Sequence, residues 1–328
     1  MNQADVVEKN DWQLRPKSFS DYIGQDRVVK TLEIFVSAVK KRGFATEHIL
    51  LFGPAGIGKT TLAYVIANEL KSNIKITSGA ALQKPGDLAA ILTNLKDNDV
   101  FFIDEIHRLP KSVEEILYPV LEEFSLDIIV GSGPSARTVR LSVPKITIVG
   151  ATTRLALLSA PLRDRFGLTL RLDFYTLEDM KEIIKRTAEL LQIKIDDQAV
   201  FEIAKRSRGT PRLANRILKR AVDYLSVNNL KVLSYDILIE LFSLLEIDDA
   251  GLTYLDSKYL ETLVLKFNNK PVGLETISSS LSEDKKTIEE FVEPYLIQIG
   301  FLKKTPRGRV ATDKAQLHLK QNKQLKIF

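Results

Sequence analysis

His48-Ile49-Leu50-Leu51-Phe52, then Gly53-Pro54-Ala55-Gly56-Ile57-Gly58-Lys59-Thr60, then Thr61-Leu62-Ala63-Tyr64-Val65-Ile66-Ala67-Asn68-Glu69-Leu70, form one continuous pattern. The apolar run halting at glycine predicts a buried strand, and Leu62, Val65, Ile66 and Leu70 recur at the three-and-four spacing of a helix's buried face. The eight residues between satisfy G-x-x-x-x-G-K-[ST] in the strand-to-helix setting that the motif requires. Glycines such as Gly56 and Gly58 let the backbone curl until its N–H groups face phosphate, and the helix N-terminus adds partial positive charge. On this reading Lys59 reaches the β- and γ-phosphates of a nucleotide and Thr60 lends a hydroxyl oxygen to Mg²⁺, with Thr61 counted among the nucleotide contacts.

Downstream, Val100–Ile103 is a second buried strand ending in Asp104-Glu105. An apolar strand that delivers two carboxylates beside phosphates suits Asp104 for holding Mg²⁺ through water and Glu105 for polarising the attacking water, although spacing alone does not separate the two roles. Val113, Ile116, Leu117, Val120 and Leu121 mark an amphipathic helix, and Lys145–Val149 a third strand that runs into Gly150-Ala151-Thr152. Strands alternating with helices imply a mostly parallel sheet that binds its ligand at the strands' carboxyl ends. Asp127–Val130 and Arg137–Leu141 flank Gly131-Ser132-Gly133-Pro134 and predict a β-hairpin that interrupts the alternation.

After Asp173 helical patterns take over. Thr176 is a fitting N-cap for Leu177, Met180, Ile183, Ile184, Thr187, Leu190 and Leu191, and Thr210-Pro211 suits the start of another helix. From about 246 three helices and a short terminal hairpin around Thr305–Gly308 suggest a winged-helix module. The expected fold class is therefore α/β with a parallel sheet, and the expected domains are 1–171 (large nucleotide-binding domain), 172–245 (small, all-helical) and 246–328 (winged helix).

With 328 residues, 45% hydrophobic and 27% charged, the chain can build two or three real cores. No apolar run approaches the roughly 18 residues of a membrane span, and no signal-peptide pattern opens the chain, so a cytoplasmic protein is expected. The absence of cysteine excludes disulfides and thiolate metal sites, and three scattered histidines suggest no metal cluster, leaving oxygen to hold any metal. The net charge of +5 is uneven: residues 300–328 carry eight Lys/Arg against Asp313 alone, and the rest nets −2. That tail is the surface expected to meet nucleic acid, with a merely solubilising tail as the plainer alternative. His107, next to the acidic pair, is read as a packing or hydrogen-bonding residue rather than a base.

FIDEIHRL, GATTR and PLRDRFG, with Leu14-Arg15-Pro16, Tyr22-Ile23-Gly24-Gln25, GPAGIGKTTLA, GTPR and TPRGRVAT in the same order, resemble the RuvB family of AAA+ ATPases over essentially the whole chain. The resemblance implies an AAA+ P-loop core, a helical lid and a winged-helix head. It implies a homohexameric ring that hydrolyses ATP with Mg²⁺ to drive Holliday-junction branch migration along double-stranded DNA, with RuvA as junction platform, RuvC acting downstream, and no membrane. It also assigns residues. Leu14, Arg15, Tyr22 and Ile23 would wrap the adenine, and Tyr175 would touch nucleotide at the domain junction. Thr152 and Thr153 would be sensor 1, Arg212 sensor 2, and Arg165 the arginine finger that enters the neighbouring site, worth a factor of roughly 10³ or more in rate. Glu122, Glu123 and Phe124 would lie near the nucleotide. The hairpin's Ile128, Ile129, Val130 and Val139 would meet RuvA, while Lys304, Arg307 and Arg309 would touch DNA phosphates without reading sequence. Ala55, Ile57 and Lys304 depart from the family's usual proline, leucine and arginine; the last keeps the charge but loses a bidentate fork. A clamp-loader or initiator ATPase, and a scaffold that binds nucleotide without hydrolysing it, are the competing readings.

Overall fold

A computed structural model describes residues 11–45, 47–130 and 137–325, and the side chains of these except for 11, 128–130 and 322–325. Two compact units result, one comprising the chain up to Ile193 with Gly209–Leu218, the other Lys194–Arg208 with Lys219 onward.

The first unit is built on a five-stranded parallel sheet. Its strands are β1 (Ile49–Phe52), β2 (Ile74–Ser78), β3 (Val100–Asp104), β6 (Thr147–Thr152) and β7 (Leu168–Arg171), while β4 (Ser125–Val130) and β5 (Arg137–Ser142) pair antiparallel as a separate hairpin. The sheet order is β2-β3-β6-β1-β7. The central strands β1, β3 and β6 are almost wholly buried, as continuous apolar runs covered on both faces must be. The edge strands β2 and β7 alternate or are half exposed.

Helices α1 (Asp26–Arg42), α2 (Lys59–Leu70), α3 (Pro85–Leu92), α4 (Lys111–Glu123) and α5 (Ala160–Asp164) flank the sheet, and α6 (Leu177–Leu190) follows it. α2 buries Leu62, Ala63, Val65 and Ile66, and α4 buries Val113, Leu117, Val120 and Leu121, so the expected helical faces are the faces covered. A capping box between Thr176 and Asp179 starts α6.

Because every strand of this sheet is parallel, its carboxyl ends all open on one side. The loop after β1, the Asp104-Glu105 pair after β3 and Thr152-Thr153 at the end of β6 gather there. His48, Glu47 and the residues just before β7 lie at the opposite, amino end, where the Leu168 N–H donates to the His48 carbonyl (3.1 Å).

In the second unit, α7 (Asp197–Arg206) is capped by Asp196, whose carboxylate accepts from the Ala199 amide; short strands β8 (Lys194–Ile195) and β9 (Val232–Leu233) pair beside it. α8 (Pro211–Val227) begins at the expected Thr210-Pro211, within the stretch up to Leu218 that belongs to the first unit, and is followed by α9 (Tyr235–Leu244). Next come α10 (Tyr254–Glu261), α11 (Leu274–Leu281), α12 (Lys285–Thr287), α13 (Glu293–Gln298), the hairpin β10 (Leu302–Thr305) and β11 (Gly308–Ala311), and α14 (Asp313–Leu325). Tyr259, Leu260, Leu263, Ile277, Ile288, Leu296 and Phe301 form their core, and α14 adds Ala315 and Leu319 to it. The charged tail thus contains a docked helix.

His48 is buried, and its Nδ1 accepts the Ile148 N–H at 3.0 Å, tying β1 to β6. Burial pushes its pKa from 6.5 down to about 4. The unfolded imidazole takes up a proton near 6.5 and the folded one only near 4, so stability is full above 6.5 and declines as pH falls through that window. His48→Asn, whose amide oxygen can replace the acceptor, is expected to lose about 2 kcal/mol less than the native chain between pH 7 and pH 4, measured by urea unfolding. Equal losses in the two chains would show that His48 carries no proton-linked cost.

Candidate functional site

The loop from Gly53 to Gly58 takes its shape from three glycines at positive φ: Gly53 (147°), Gly56 (77°) and Gly58 (102°). At Gly58 a Cβ would stand 2.6 Å from the Tyr22 hydroxyl, so the backbone conformation and the close approach both require glycine. Lys59 opens α2 and is nearly buried at 7% exposure, its Nζ donating to the carbonyls of Gly53 (2.9 Å) and Pro54 (2.7 Å). Burial pushes its pKa down, while the charges of Glu105 and Asp104 push it back up. The carboxylates at the end of β3 therefore act on the lysine that opens α2. Thr60 follows on the same helical turn.

Glu105 sits in the left-handed region (φ 47°), and its N–H donates to Asp104 Oδ1 at 2.9 Å. This sharp turn sends two successive carboxylates different ways. The Thr153 hydroxyl donates to Glu105 Oε2 at 3.2 Å, and His107 Nδ1 lies 3.1 Å from the same oxygen. The structure thus brings Thr153, Glu105 and His107 together.

A cleft beside the loop is lined by Leu14, Arg15, Tyr22, Ile23, Thr61 and Tyr175, six of the residues named above as candidate nucleotide contacts. The Tyr175 hydroxyl donates to that of Tyr22 at 3.2 Å. Burial pushes the Tyr22 phenol up to about 12, with the Tyr175 hydroxyl acting in the opposite sense, and burial likewise raises Tyr175 far above its ordinary value. Both are neutral hydroxyls at physiological pH. Ile183, Arg186, Pro211 and Asn215 also line it, and Arg186 donates to the Leu14 carbonyl at 2.9 Å. Sequence reading missed these four, since nothing in a helical period distinguishes a cleft residue from a solvated one. The start of α8 rests on the loop: the Arg212 N–H donates to the Gly56 carbonyl (3.3 Å), and a Cβ on Gly56 would meet Thr210 at 2.8 Å.

Other expected residues lie elsewhere. Arg165 follows α5 and precedes β7 at the sheet's amino end, where a Cβ on Gly167 would meet Glu47 at 2.7 Å. Its guanidinium pairs with Glu122 (3.1 Å), donates to the Pro161 carbonyl (2.8 Å) and stacks over Tyr118 (4.4 Å from the ring centre). Glu122, Glu123 and Phe124, which the resemblance puts near a nucleotide, lie away from this chain's own phosphate loop. They end α4 on the amino side of the sheet: Glu122 holds Arg165, Glu123 holds Arg140 (3.0 Å), and the Phe124 ring meets His48 edge-on at 5.7 Å. The height of β1, roughly 13 Å for four residues, separates that side from the phosphate loop. In the hairpin Val139 is exposed and pairs in register with Ile128; the side chains of Ile128, Ile129 and Val130 and the turn 131–136 lie outside the described residues.

The terminal hairpin carries a contact that the sequence did not announce. Lys304 and Arg309 face one another across β10 and β11, but both turn toward Glu293, at 2.6 and 2.8 Å. Glu293 is fully buried and also accepts from the Tyr259 hydroxyl at 2.9 Å. Burial works to raise its pKa, yet the hydrogen bonds from Arg309, Lys304 and Tyr259 outweigh it and hold the carboxyl below its ordinary value. Arg309, 18% exposed, is thus first a strut of the hairpin; Lys304 keeps nearly half its side chain in solvent, and Arg307 in the turn is exposed. A spacing pattern counts cations but does not see a buried counter-charge.

Residues 14–172 match the family model of the Holliday junction DNA helicase RuvB P-loop domain, 175–248 that of the RuvB AAA lid domain, and 249–320 that of the RuvB C-terminal winged helix domain. Among solved structures, the Thermotoga maritima RuvB Holliday junction branch migration motor is similar at 50% identity, covering 94% of this chain and 98% of its own, with a TM-score of 0.83. Two variants of that protein, one with a lysine changed to arginine and one with an alanine changed to serine, give the same identity and coverage with TM-scores of 0.84 and 0.85.

Removing one partner of a buried ion pair strands the others, at a cost of about 3–5 kcal/mol. Glu293→Ala is therefore expected to lower the stability of the winged-helix segment by about 3 kcal/mol in denaturant titration; a change below about 0.5 kcal/mol would show that Lys304 and Arg309 do not depend on it.

Proposed function

This chain belongs to the RuvB family, and on that premise we propose that it hydrolyses ATP to drive branch migration of Holliday junctions in recombination and repair. The observation that carries the mechanism is the placing of Lys59 and Arg165 at opposite ends of one sheet. An arginine held a strand's height from its own phosphate loop cannot neutralise charge there. It can do so in a neighbouring subunit, and a chain whose every copy offers a loop at one end and an arginine at the other closes head-to-tail into a ring. Six copies are the ring size proposed.

In each site the loop amides and Lys59 bind the triphosphate, while Leu14, Arg15, Tyr22, Ile23 and Tyr175 enclose the base. The Thr60 hydroxyl and the Asp104 carboxylate form an all-oxygen set that suits Mg²⁺. Held there, Mg²⁺ would supply positive charge to offset that of the phosphates. Glu105 orients the attacking water and takes its proton, Thr153 fixes water and carboxylate relative to one another, and the partner subunit's Arg165 meets the charge that develops on the γ-phosphoryl oxygens. Glu122 releases Arg165 as that contact forms. Arg212, whose backbone touches the loop at Gly56, reports phosphate state to the lid.

The three proposed domains are 1–171, 172–245 and 246–328. Lys304 and Arg307, with the exposed part of Arg309, would track duplex phosphates, giving an affinity that falls steeply with salt. The hairpin Ser125–Ser142 would dock on RuvA, and RuvC would cut the migrated junction. Among the described residues no helix is long and apolar enough to cross a membrane. A cytoplasmic site of action is proposed.

Arg165→Ala and Lys59→Ala chains are each expected to lose at least 10³-fold in turnover, yet an equal mixture should recover measurable hydrolysis. In a mixed ring an intact loop can sit beside an intact arginine. Phosphate release from the mixture no greater than from either variant alone would overturn the shared-site reading.

A further inference from the structure

His107 occupies the one-turn 3₁₀ helix Ile106–Arg108 directly after the acidic pair, with only 9% of its side chain exposed. Its Nδ1 stands 2.9 Å from Thr152 Oγ1 and 3.1 Å from Glu105 Oε2. One ring nitrogen carries either a hydrogen or a lone pair. A lone pair facing a carboxylate oxygen at that distance would be repelled, whereas an N–H there makes a charge-assisted hydrogen bond. The hydrogen therefore sits on Nδ1. Thr152, fully buried, already accepts the Arg154 N–H at 2.9 Å and has a second lone pair for a share of the same Nδ1–H.

Resting on the reading of Glu105 as the group that activates water, we infer that His107 is a positioning residue for it. Nδ1–H and the Thr153 hydroxyl both bind Oε2, which fixes the carboxylate plane and leaves Oε1, 3.5 Å from the Thr153 hydroxyl, as the oxygen turned to water. Through Thr152 the imidazole also fastens the end of β3 to the end of β6, so the base and the threonine pair keep one geometry. His107 does not itself take the proton, because the nitrogen nearest the acidic pair is already a donor to it.

The amide nitrogen of asparagine falls where Nδ1 lies, whereas glutamine places its amide further out and fills more of the ring's volume. In the full-length protein, with junction DNA and saturating Mg²⁺, His107→Ala and His107→Gln are expected to lower kcat about tenfold or more, as for loss of one charged hydrogen bond, with KM for ATP and binding of a fluorescent ATP analogue changed less than twofold. His107→Asn should retain at least half of native kcat. Native kcat in His107→Ala, or rescue by glutamine and not asparagine as a space-filling role would give, would overturn the inference. Glu105→Gln is measured alongside: if it fails to turn over while His107→Ala is native, only the inference falls, whereas undiminished turnover in Glu105→Gln removes the catalytic reading beneath it.

Discussion

A parallel sheet has two unlike ends, and that asymmetry organises everything the nucleotide-binding unit does. Strand β1 delivers the phosphate loop, β3 the acidic pair and β6 the threonine pair, all on the carboxyl side, because right-handed crossovers through helices return each strand in the same direction. No loop has to reach far. The same rule puts Arg165, which precedes β7, on the far side, where Glu122 holds it. A half-site at each end of one sheet is the arrangement that the proposed head-to-tail ring would complete.

The second organising feature is the use of buried polar groups as fasteners. His48 joins β1 to β6, His107 joins Glu105 to Thr152, and Tyr22 meets Tyr175 beside Gly58. Each such group costs free energy to bury unless it is paired, and the contacts named here run across elements rather than within one. In the winged-helix segment Glu293 does the same for the hairpin, gathering Lys304, Arg309 and Tyr259 around one carboxylate. Cationic side chains of the terminal hairpin thus divide into those that build it and those, such as Arg307, that project from it.

Much of this was legible in the sequence wherever burial is continuous. Strands β1, β3 and β6 stand out as apolar runs since both their faces are covered, and the loop between β1 and α2 is dictated by glycines that no other residue replaces cheaply. Edge strands β2 and β7 escaped notice because partial exposure leaves them without a strong apolar signal. Helix α14 was hidden by its polar composition: Lys, Gln and Asn make up more than half of it, and among its described side chains only Ala315, His318 and Leu319 are buried. Around the site, motif residues at strand ends fell together as expected, but long-range partners did not announce themselves. Arg186 against Leu14, Glu122 against Arg165 and Glu293 against Arg309 join residues between 16 and 172 positions apart, and no local period carries such pairings.

Everything rests on the catalytic site being shared between copies. The most direct measurement is ATP turnover per subunit across a dilution series, with particle mass recorded at every concentration. Turnover should be negligible where single chains predominate and should rise in step with the population of closed rings. A constant rate per subunit down to the monomer would contradict the account, because one chain would then bring an arginine to its own phosphates across the height of the sheet.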